Sequence, residues 1–172
     1  MIHSSALPVA RVTLRALILF NWLFRGLILV MLAASFLAED WTWHALGVDD
    51  AAANEGTVAG MRAIMVIGIL AVPVAYVVFS RLLSIVESVG VGEPFTIGNA
   101  GRLRTIAFAL LGIELLHIAV VAIASALSAN GVPLRIGSNF DVTGWLAVLL
   151  LFVLAQVFRE GSRMREDLEG TV

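Results

Sequence analysis

Of the 172 residues, 60% are hydrophobic and 14% are charged, with a net charge of −2 and no cysteine. A soluble domain is about 25% charged; this chain lacks that polar surface, so a soluble globular domain, a disordered chain and a disulfide-stapled module are excluded. A mean hydropathy of +0.97 leaves an integral membrane protein, and the near-neutral charge removes the basic footprint that direct nucleic-acid binding needs.

Four apolar runs reach the length of a transmembrane helix, about 17–25 residues. The first, 16–38, is interrupted only by Asn21 and Arg25, and the second, 63–85, carries Pro73, Tyr76, Ser80 and Arg81. The third, 105–127, contains Glu114 and His117, and the fourth, 143–159, contains Gln156. The pieces between them are short. The chain is therefore predicted to be all-α: one domain over 1–172 whose four transmembrane helices form an up-down bundle. Ala33-Ala34-Ser35 resembles a signal-cleavage site, but the run before it is too long and carries an arginine in its middle.

All eleven basic residues are arginine. Arg11, Arg15, Arg81, Arg102, Arg104, Arg159, Arg163 and Arg165 flank the spans on one side, whereas the other side has only Arg62 and Arg135 and an acidic first loop. By the positive-inside rule this asymmetry predicts both termini in the cytoplasm; the absence of lysine beside abundant alanine points to a bacterial source, and so to an inner membrane. Trp41, Trp43 and Trp145 then fall at the outer interface, where indoles are enriched.

Ionisable residues inside a span cost roughly 2.5–3.5 kcal/mol and by default face a partner. Arg25 and Glu114 each lie nine residues into spans that run in the same direction, which puts both roughly 13 Å from the cytoplasmic edge. Tyr76 falls at that level on the second span, and His117 lies one turn beyond Glu114. Arg25, Tyr76, Glu114 and His117 are therefore expected to form an intramembrane polar cluster with an Arg25–Glu114 ion pair at its centre. Glu114-x-x-His117 has the spacing of a carboxylate-bridged metal motif, but such a site needs a second copy and further glutamates. No nucleophile elbow, zinc-hydrolase helix or phosphate loop occurs. Neither cofactor nor metal is expected, and the chain is not expected to be an enzyme.

Two segments on the inner side are less generic. Residues 92–104 include Pro94, Phe95, Asn99, Arg102 and Arg104, with Thr96 or Asn99 placed to cap the third helix. The tail carries Arg163, Met164, Asp167 and Leu168, with charge spacing that suits a helix continuing beyond the fourth span. These segments supply the candidate docking residues. The Pro-Phe, the Asn-Ala followed by Arg-Leu-Arg, the Phe-Arg-x-Gly and the closing Thr-Val together resemble the bacterial family of small four-span membrane proteins called domain of unknown function 2975. Gly98 and Gly101 depart from that pattern where charged residues are expected. Members of the family often have genes beside a small helix-turn-helix regulator, so the resemblance implies a cytoplasmic partner of that type.

Three functions are compatible with these features. The leading one is a non-enzymatic membrane protein that sequesters or signals to a cytoplasmic helix-turn-helix regulator. The alternatives are a small transporter or proton relay using the intramembrane cluster, and a structural or assembly subunit of a membrane complex.

Overall fold

A computed structural model describes residues 6–46, 55–92, 95–129 and 142–169. The described residues form five helices in order: α1 (Ala6–Leu37), α2 (Glu39–Ala45), α3 (Glu55–Gly90), α4 (Ile97–Ala129) and α5 (Val142–Glu169). No strand occurs among the described residues. Four of the helices, all but α2, are long and apolar enough to cross a membrane. The chain is a multi-pass, all-helical membrane protein.

The four long helices contain the four predicted spans, except that α1 ends at Leu37, but they reach well past them. At 1.5 Å per residue, the 36 residues of α3 extend roughly 54 Å, against a hydrocarbon thickness of about 30 Å. Hydropathy marks the part that crosses lipid, whereas the helix continues while its backbone bonds are satisfied. Thus α1 begins ten residues before its predicted span and α5 continues to Glu169, the latter in line with the charge spacing of the tail. α2 was not foreseen, because seven mixed polar and aromatic residues carry no span signal.

The contacts divide the chain into two compact units, one of 1–20, 74–112 and 141–172 and the other of 21–73 and 113–140. The long helices α1, α3 and α4 each contribute to both.

In the unit of 21–73 and 113–140, Trp43, Val58, Met61 and Leu127 form a buried core flanked by Ile64, Met65 and Ile123. Gly60 permits the close approach of α3 and α4: a Cβ there would lie 2.8 Å from Leu127 Cδ2. Asn21 Nδ2 donates to the Val72 carbonyl at 3.0 Å, beside Pro73. Trp43 departs from expectation. Only 4% of it is exposed, so its indole packs against protein in this core instead of being open to its surroundings; Trp41 is exposed.

In the unit of 1–20, 74–112 and 141–172, the buried residues of α4 are Asn99, Ala100, Leu103, Ile106 and Ala107. Their spacing is that of one helix face. α3 ends at Gly90, and the chain turns through Gly92, whose φ of +90° is a left-handed conformation that side chains resist.

Candidate functional site

Thr96 caps α4 in the way the sequence suggested: its Oγ1 accepts from the Asn99 backbone N–H at 3.2 Å. The Asn99 side chain is thereby left for another task. Its Nδ2 donates to Ser88 Oγ at 2.7 Å, and its Oδ1 accepts from Arg102 Nη1 at 2.7 Å. The same arginine nitrogen also donates to the Ser84 carbonyl at 3.3 Å. Ser88, Asn99 and Arg102 thus lock the end of α3 to the start of α4. Asn99 is fully buried, which corrects its expected place on a docking surface. Arg102 is partly buried and engaged within the same network.

Phe95 behaves differently. It is half exposed, yet its ring centroid lies 5.0 Å from that of Phe158 on α5. This contact joins the connection before α4 to the end of the fourth span, from which the tail continues. Met164 is 57% exposed, and Arg104 and Arg163 are exposed. Arg104 lies 5.6 Å from the Phe108 ring, which meets Phe152 of α5 edge-on at 5.0 Å. Pro94 lies outside the described residues, as do the side chains of Asp167 and Leu168 within α5.

The intramembrane cluster is not assembled as expected. Among the described residues no ion pair joins Arg25 to Glu114. The Arg25 guanidinium instead lies 5.4 Å from the ring of Trp22, three residues earlier on α1. Equal depth on two helices does not give a shared face, and a neighbouring indole offers the cation a nearer partner. His117 borders an open groove of about 360 Å³ whose other lining residues, Phe24, Ile28, Met65 and Leu116 among them, are all apolar. Tyr76 belongs to the other unit. Among the described residues no group of three or more histidines or acids could hold a metal ion.

Arg62 forms a junction that the sequence did not reveal beyond its charge. Its Nε donates to Ser35 Oγ at 3.2 Å, Nη2 donates to the Ser35 carbonyl, and Nη2 lies 3.4 Å from Glu39 Oε2. The guanidinium also stacks 4.1 Å from the Phe36 ring centroid and lies 5.9 Å from that of Trp43. One arginine therefore fastens α3 to the end of α1 and to α2. The only available sequence signal was an isolated arginine next to an aromatic and acidic connection.

A family model described as "Protein of unknown function (DUF2975)" matches residues 33–172. No curated protein and no solved structure matches the chain.

Proposed function

The chain belongs to the DUF2975 family of proteins of unknown function, and we propose that it acts without catalysis, as a membrane anchor that docks a cytoplasmic helix-turn-helix regulator and limits its access to DNA. One observation carries the reading: the Phe95–Phe158 contact sets the connection before α4 beside the end of the fourth span, where the tail begins to leave it, in the same unit. Two segments separated in sequence then form one composite face. Apolar side chains are exposed on it, Ile97 at 54% and Met164 at 57%, and Arg163 adds charge. Mixed apolar and charged surface of this kind suits a modest protein interface. The choice of partner follows from the family resemblance. The arginine asymmetry supports placing both termini and this face in the cytoplasm of a bacterial inner-membrane topology. Asn99 and Arg102 support the face from within and do not contact the partner.

The relay alternative draws no support from the Arg25 geometry, since that cation stacks on Trp22. Photo-crosslinkers at positions 95 and 164 in intact cells test the docking reading. Adducts with a small DNA-binding regulator are expected, together with a changed transcript profile when 162–172 are deleted. Adducts with lipid or with the chain itself only, and an unchanged profile, reject it.

A further inference from the structure

In the unit of 1–20, 74–112 and 141–172, α4 and α5 border a pocket of about 220 Å³ lined by Arg104, Phe152, Ala155, Gln156 and Arg159. Among the described residues no carboxylate lines it. Among the described residues neither arginine makes a hydrogen bond or an ion pair; the only partner of Arg104 is the Phe108 ring. Both guanidiniums are permanently charged. Two like charges facing one small space repel each other, and among the described residues no group offsets them.

Two features indicate what does. The first is position. Arg104 immediately precedes the apolar run of the third span and Arg159 closes that of the fourth, so the pocket lies where hydrocarbon gives way to headgroups. The second is size and donor geometry. Pockets for organic ligands commonly measure about 300–1,000 Å³, and this one is smaller. Two guanidinium forks, which carry donors only, and the NH2 group of the Gln156 amide present N–H groups that match the oxygens of a compact oxyanion. Arg104 lies 5.6 Å from the Phe108 ring, which Phe152 of the pocket wall meets edge-on, so these rings set its guanidinium beside the pocket.

We propose that this pocket binds a phosphate group, either the headgroup phosphate of an anionic phospholipid or a soluble phosphate. Basic pockets between transmembrane helices recognise phospholipid headgroups by the same chemistry. The site goes beyond the docking face, since it uses Phe152, Gln156 and Arg159, none of which belongs to that face.

The test is calorimetric titration of the full chain in a non-ionic detergent with dihexanoyl phosphatidylglycerol and, separately, with inorganic phosphate. Saturable binding of the phosphatidylglycerol is expected. It should weaken about fivefold in Arg159→Gln and about 25-fold when Arg104→Gln is added. Arg15→Gln, outside the pocket, should change it less than about twofold. Binding of inorganic phosphate alone, with the same arginine dependence, keeps the site and assigns it a soluble ligand. Undiminished binding by the double variant, or an equal loss in Arg15→Gln, overturns the proposal. Hydrogen exchange on the unmodified chain gives a second readout that needs no variant: whichever ligand binds should slow exchange around Gln156, and protection confined to other segments overturns the site. These outcomes are independent of regulator capture at positions 95 and 164, so either proposal can fail alone.

Discussion

Two groups of arginines in this protein do opposite things. Around Ser35, Arg62 is enclosed by a hydroxyl, a carbonyl, a carboxylate and two aromatic rings, and its side chain is 23% exposed. Around Phe152, Arg104 and Arg159 are exposed and lack any hydrogen bond or ion pair among the described residues. The same residue type serves as a fastener in the first region and keeps its donors available in the second. A guanidinium whose donors are engaged inside the protein, as Nε and Nη2 of Arg62 are, contributes to folding, and removing it strands the groups it served. One whose donors are unused contributes little to folding and remains able to hold something else.

The largest effect should follow from Arg62→Gln. A hydrogen bond to a charged group contributes about 1.5–3 kcal/mol, and several are lost together, so a destabilisation of about 3 kcal/mol is expected in reversible unfolding with increasing dodecyl sulfate. A loss below about 0.5 kcal/mol, the range of an ordinary surface arginine, would abolish the distinction. Asn99→Ala comes next, at about 2 kcal/mol by the same measurement. It leaves the Ser88 hydroxyl and the Arg102 guanidinium without their shared partner. Because the change is confined to the junction of α3 and α4, amide exchange should accelerate there first. The smallest effect belongs to Arg159→Gln, which should alter stability by no more than about 0.5 kcal/mol. If Arg159→Gln destabilises the chain as much as Arg62→Gln, its donors are engaged in folding after all.

Hydropathy made the four spans legible, because lipid demands about twenty apolar residues whatever the fold. The cap at Thr96 was legible too, since a hydroxyl just before a helix has few other uses. Side-chain partners across helices were not. Depth along a span follows from counting residues, but the direction around the helix axis depends on packing; Arg25 and Glu114 share a level without forming a pair. Asn99 read equally well as a cap or as a surface contact, and its burial is set by Ser88, eleven residues away on another helix. Arg62 needed Ser35 and Glu39 in place before its role existed, and neither lies at a spacing that identifies it. Phe95 and Phe158 were each singled out, but their adjacency is tertiary.

The division into two units has a consequence for biogenesis. Every residue of one unit, 21–73 and 113–140, has been synthesised before α5 emerges from the ribosome, whereas the other unit includes 141–172. Chains acquire structure as they are made, earlier segments first. The Arg62 junction and the core around Trp43 can therefore close while translation continues. Ser88, Asn99 and Arg102 can also meet at that stage, but the aromatic contacts Phe95–Phe158 and Phe108–Phe152 must wait for the last helix. A nascent chain stalled at about residue 140 would hold one finished unit and one unfinished one. The pocket between α4 and α5 would not yet exist, so the ability to bind a phosphate there would date from the synthesis of α5.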